Sequence, residues 1–133
     1  MVQHALNPFV NRLLAMAVEA KYHHWNLRGP EFFYMHEKYD ELHSDLNSYA
    51  DLLAERIRAE NSVNFIEMDV ALVAPAMAMS HNNCVTNTTI DLNDLTQDLS
   101  VAILNEQDAA TQDTLVEIQR GVDKWLWMFN ASK

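Results

Sequence analysis

The chain has 133 residues, a formal net charge of −10 at pH 7, 49% hydrophobic residues, two glycines and three prolines. This length fits one domain over residues 1–133, and the scarcity of helix breakers points to an all-helical fold. One cysteine, Cys84, excludes an intrachain disulfide framework and suits a reducing compartment. No apolar run reaches membrane-spanning length, and no leader with a basic start and an apolar core opens the chain. The cytoplasm is therefore the expected location, with no membrane partner.

A first helix is expected over 7–27, with Asn7 as N-cap and Pro8 at the first helical position. Leu6, Val10, Leu13, Ala17 and Ala20 form its apolar face. Gly29 and Pro30 mark a tight turn. A second, long helix is expected over 31–60. Its stripe of Met35, Tyr39, Leu42, Leu46, Tyr49, Leu53 and Ile57 steps by fours and threes, as in a bundle. Ser62 is placed to cap a short helix over 64–73, which Pro75 ends. Residues 76–88 are polar and asparagine-rich and read as loop. Met77, Met79 and His81 in that loop suggest packing on a neighbour before a soft-metal site. The third helix is expected to start near Thr89, with Leu92, Leu95, Leu99, Ala102 and Ile103 along one face. The fourth is expected over 108–130, with Leu115, Ile118, Val122, Trp125 and Phe129 inward. Four long helices with one long crossover describe a ferritin-like four-helix bundle, here with a short extra helix in the crossover.

The chemistry concentrates between His24 and Glu55. His36 and Asp40 are four residues apart, as are Asp51 and Glu55, so each pair shares one helix face. These side chains lie one position along from the apolar stripe and flank the core face. The two pairs cannot meet within one helix, because eleven residues separate Asp40 from Asp51, roughly 16 Å along the axis. A two-fold axis near Asp45 and Leu46 can bring them together. Two antiparallel copies of the helix set one chain's His36 and Asp40 opposite the other's Asp51 and Glu55, giving two equal sites roughly 22 Å apart. The Gly29-Pro30 turn doubles the chain back, so His24 lies level with His36 and joins the first pair. Two imidazoles and three carboxylates suit iron, manganese or zinc. His23 points about 100° away from His24 and reads as packing or surface. His43, three residues after Asp40, is a spare donor and reads as structural.

The sequence His24-Trp25-Asn26-Leu27-Arg28-Gly29, followed by Phe32, His36, Asp40, Asp51, Glu55 and Arg56, resembles the Dps family of mini-ferritins. Val122-Asp123-Lys124-Trp125-Leu126-Trp127 resembles the last helix of that family. Against that family, the first helix reads several residues short and the third about two turns short. The resemblance implies a hollow twelve-subunit shell with ferroxidase ligands shared across a dimer two-fold. It assigns His24, His36 and Asp40 to one chain, Asp51 and Glu55 to its partner, and Glu55 to the bridge between two metals. Trp25 lies beside the site in the family, as radical quencher or interface aromatic. Acidic residues near the start of the last helix line three-fold pores in the family, and Asp108, Asp113 and Glu117 occupy that region here.

The function this implies is iron storage. Fe(II) is oxidised at the inter-subunit site by hydrogen peroxide or O2, and Fe(III) is stored as an oxyhydroxide inside the shell. One rival is a non-enzymatic protein whose five ligands hold zinc and staple the dimer. Another is a DNA-protecting structural dodecamer. Twelve copies would carry −120, from twelve times −10, and no lysine-rich tail is evident, so direct DNA binding is not expected. A larger ferritin's di-iron site inside the bundle needs Glu-x-x-His motifs on facing helices. None is found, since Glu117 is followed by Arg120 and the expected third helix holds no histidine.

Overall fold

The computed structural model describes residues 2–71 and 79–133. Four long helices, α1 (Asn7–Asn26), α2 (Phe32–Glu60), α3 (His81–Asn105) and α4 (Ala109–Ala131), form a four-helix bundle. Helices α1 and α2 make one hairpin, α3 and α4 the other, and α2 also packs on α4. Leu13, Leu42, Leu46, Leu53, Leu95 and Ile118 lie fully buried between them. Inward faces of leucine and isoleucine at steps of three and four are what drive such packing, because the isolated helices gain little from propensity alone.

Two short parallel pairings fix the direction of the long crossover. Val2–Gln3 pairs with Asn64–Phe65, and Leu27–Arg28 pairs with Met79–Ser80. The crossover therefore leaves α2 beside the start of α1 and reaches α3 beside the α1–α2 turn. Helix α3 consequently runs parallel to α2, the arrangement a long connection allows and a short one forbids.

The structure departs from three sequence expectations. Asn7 is not an N-cap: Leu6 takes that position without a side-chain cap. The Asn7 amide instead donates to the Glu67 carbonyl at 3.0 Å and accepts from the Glu67 N–H at 2.9 Å. Asn11 does the same one turn on, donating to Glu67 O at 2.8 Å and accepting from Asp69 N at 3.0 Å. These two side chains supply partners to crossover backbone that would otherwise bond to itself. That is why no helix forms over 64–71, where a short one was expected. The rest of that expected helix, Pro75 that was to end it, and residues 76–78 of the expected loop lie outside the described residues.

The third correction concerns α3, which begins at His81 and not near Thr89. Ser80 caps it, its side-chain oxygen accepting from Asn83 N at 3.2 Å. Cys84, Val85, Thr88 and Thr89 are buried, and their packing outweighs the weak helix propensity of an Asn- and Thr-rich stretch. The helix is 25 residues long, so the expected two-turn shortening disappears. His81, now its first residue, donates from Nε2 to Ser132 O at 3.1 Å. The Tyr39 hydroxyl bonds to Thr88 Oγ1 at 2.8 Å inside the core, and burial pushes the Cys84 thiol up to about 11, which keeps it unreactive.

Candidate metal centre

The α1–α2 turn places the two histidines. Gly29 adopts φ +119°, a left-handed conformation that a side chain disfavours. Phe32 N then donates to Gly29 O at 3.1 Å, and buried Leu27 anchors the preceding end. The chain reverses so tightly that the His24 and His36 rings stack, with centres 3.6 Å apart and planes 15° apart. Each ring bonds to the other residue's backbone. His24 Nδ1 donates to His36 O at 2.5 Å, and His36 Nδ1 donates to His24 O at 2.6 Å. A carbonyl can only accept, so both Nδ1 atoms carry a proton, and in the neutral rings the lone pair is left on Nε2. This carbonyl-to-Nδ1 contact is the arrangement that fixes the tautomer and aim of a metal-ligating histidine.

Asp40 lies one helical turn after His36, and Lys21 lies one turn before His24. The Lys21 ammonium donates to the Asp40 carboxylate, and this hydrogen bond holds the Asp40 carboxyl below the ordinary carboxylate range. Lys21 was not anticipated from the sequence. Its spacing of three before His24 on one helix face was the available signal.

His43 takes no part in this group. Its Nδ1 donates to Ala17 O at 2.7 Å, and its Nε2 accepts from Asn47 Nδ2 at 3.2 Å, so it laces α2 to α1. His23 is buried, with its ring against Tyr39 at 5.2 Å between centres. Burial lowers its pKa.

Asp51 and Glu55 are exposed further along α2. That helix is continuous through Glu60, so the separation of roughly 16 Å between Asp40 and Asp51 stands. Among the described residues, no three His, Cys, Asp or Glu side chains of one chain converge on a single ion. The sequence-predicted ligands thus fall into two half-sets. Beside the histidines in sequence, Trp25 is 62% and Phe33 88% exposed, whereas Tyr34 lines the groove between α2 and α4 with Lys38 and Trp125.

Of the acidic residues near the start of α4, Asp108 is the helix N-cap. Its carboxylate accepts from Thr111 N and Thr111 Oγ1, each at 2.9 Å, and lies 3.6 Å from Arg56 Nη2. These contacts, the Thr111 N–H first, depress its pKa. Asp113 and Glu117 are exposed one turn apart on α4. No helix among the described residues is long and apolar enough to cross a membrane.

Comparison with known proteins gives one consistent result. The family model for the ferritin-like domain matches residues 3–132. The chain is 31% identical to the DNA protection during starvation protein of Brevibacillus brevis, over 95% of this chain and 90% of the relative. It is 29% identical to general stress protein 20U of Bacillus subtilis, over 96% and 93%. Among solved structures, Dps from Listeria monocytogenes superposes with a TM-score of 0.85 at 28% identity, covering 95% of this chain and 88% of that one. Dps from Microbacterium arborescens in its high iron form gives 0.81 at 31% identity, covering 96% and 88%.

Proposed function

Because this chain belongs to the ferritin-like family, within its Dps group, we propose that it is an iron-storing ferroxidase whose active site is shared between two copies. The carrying observation is the reciprocal His24–His36 contact, which puts a proton on each Nδ1 and leaves Nε2 as the donor atom of each neutral ring, with Asp40 one turn further along α2. Two neutral imidazoles and one carboxylate form half of a coordination set. Asp51 and Glu55 of a second copy complete it when the α2 helices meet antiparallel about a two-fold axis. The exposed Trp25 and Phe33 fit burial in that contact, and Trp25 is the aromatic nearest the site in sequence.

Fe(II) is the substrate. It takes the histidine nitrogens and Asp40, and the Lys21 ammonium gives up the carboxylate to it. Oxidation removes one electron from each of two Fe(II) ions. Hydrogen peroxide accepts both electrons with two protons and leaves as two waters; O2 is the alternative oxidant. The carboxylates favour the harder Fe(III) product, and Glu55 is placed to bridge. Asp113 and Glu117, with Asp108, line the cation path, where negative charge raises the local Fe(II) concentration. The shell is a dodecamer in the cytoplasm, and its net negative charge disfavours direct contact with DNA phosphates.

The test is peroxide-driven Fe(II) oxidation by purified protein, with iron counted per assembled particle. Storage of hundreds of iron atoms per particle is expected. Tight binding of about one metal per site without turnover would make the site a structural zinc staple instead.

A further inference from the structure

Helices α2 and α4 leave a groove between them that neither the core nor the proposed metal site uses. Its volume is about 490 Å³, within the range of small-molecule sites. Buried Met35, Trp125 and Phe129 form its floor, and the two rings pack with centres 5.9 Å apart. Tyr34, 62% exposed, stands at the rim with the Lys38 ammonium 5.7 Å from its ring centre. On α2, Tyr34, Lys38, Glu41 and Asp45 lie roughly 120° around from His36, Asp40, Asp51 and Glu55. The groove therefore faces away from the contact of the proposed dimer.

Its polar groups carry both signs of charge. Lys38 is bound to Glu41 at 3.1 Å. The Asp45 carboxylate accepts from Trp125 Nε1 at 2.7 Å, which fills one of its roughly four acceptor positions. Lys124 immediately precedes Trp125 on α4 and so lies level with Asp45 across the groove. It is exposed and has no hydrogen-bond or ion-pair partner among the described residues. An unpaired cation is notable in a chain of net charge −10, and here it stands at the same level as a carboxylate with acceptor positions to spare.

We propose that this groove binds an aromatic α-amino acid as its zwitterion, with the carboxylate on Lys124, the ammonium on Asp45 and the ring over Trp125 and Met128. An α-amino acid carries both charges on one carbon, so it needs a cation and an anion at one level of the groove. Lys124 and Asp45 supply them. Ring-to-ring contact with Trp125 and sulfur-to-ring contact with Met35 and Met128 favour an aromatic side chain. An aromatic acid without the ammonium sets its carboxylate against Asp45, and an aromatic amine without the carboxylate sets its ammonium against Lys124.

Calorimetry on the assembled, iron-free protein at about 0.15 M salt, where weak surface attraction is largely screened, tests this with L-tryptophan, tryptamine, indole-3-propionate and L-leucine as separate titrants. One saturable L-tryptophan site per chain is expected, tighter than for the other three. Lys124→Gln should weaken L-tryptophan and indole-3-propionate by about threefold or more and leave tryptamine unchanged. Asp45→Asn keeps an oxygen to accept from Trp125 and should weaken L-tryptophan and tryptamine by about threefold or more, with indole-3-propionate no weaker. Unsaturable heats, L-leucine or either single-charge compound binding as tightly as L-tryptophan, or affinity unchanged in both variants, overturn the proposal. Crystals grown with L-tryptophan need no substitution: density between Lys124 and Asp45 supports the site, and its absence there rejects it.

Discussion

Lys21 donates from its ammonium to the carboxylate of Asp40, across the α1–α2 hairpin and one turn from the stacked His24 and His36. In the proposed site an arriving cation must displace it. Lys21 therefore lowers the fraction of half-sites ready to bind. Lys21→Gln should lower the Fe(II) concentration for half-maximal oxidation by roughly two- to tenfold, as expected when a competing state is removed. Stopped-flow oxidation at limiting Fe(II) measures this, and an unchanged half-saturation would show that the ion pair does not compete.

The proposed sharing of the site between two copies makes a complementation prediction. His36→Ala and Glu55→Ala each remove a ligand from every site of a uniform shell, so each should be nearly inactive. If His36 of one chain faces Glu55 of the other, as proposed, both changes fall in one of the two sites of a mixed dimer. The second site keeps its full set. Co-assembled shells should recover oxidation in proportion to mixed interfaces, with about half the sites of each intact. Zero recovery in verified mixed shells means that the site is built within one chain.

Gly121 is held by a close approach. A Cβ there would lie 2.0 Å from the Tyr49 hydroxyl oxygen and 2.5 Å from its Cζ. Gly121→Ala should destabilise by about 1–3 kcal/mol through forced repacking. In a Tyr49→Ala background the same change should cost much less, since the clash is gone. Equal losses of thermal stability in both backgrounds would refute the contact.

Asp108 and Asp113 should separate by substitution. Asp113→Asn is expected to slow iron uptake at low Fe(II) and leave thermal stability unchanged, because Asp113 is exposed. Asp108 also caps α4 and meets Arg56. Its folded pKa is depressed, so its stabilisation is present above the unfolded carboxylate value and is lost as pH falls through the folded value. Asp108→Asn keeps the cap acceptor and removes the charge. It should flatten the loss of thermal stability on acidification below about pH 5. An unaltered acid limb would show that Asp108 makes no pH-dependent contribution.

Sequence alone determined the parts governed by helical period. Leu42, Leu46, Leu53 and Ile57 recur on one face, so α2 and its buried stripe were legible. His36 with Asp40 and Asp51 with Glu55 were legible for the same reason, together with the impossibility of their meeting in one chain, because rise per residue is fixed. Tertiary structure decided what depends on a neighbour. Asn7 looks like a helix-start residue, yet with Asn11 it holds the crossover backbone at Glu67 and Asp69, a choice made only when α1 lies beside that segment. Residues 81–88 carry weak helix propensity, and burial of Cys84, Val85 and Thr88 against the bundle makes them helical. The His24–His36 exchange of ring-to-backbone hydrogen bonds and the Lys21–Asp40 ion pair likewise arise across the hairpin. Local periodicity says which face a side chain shares, and only packing says which atom it meets.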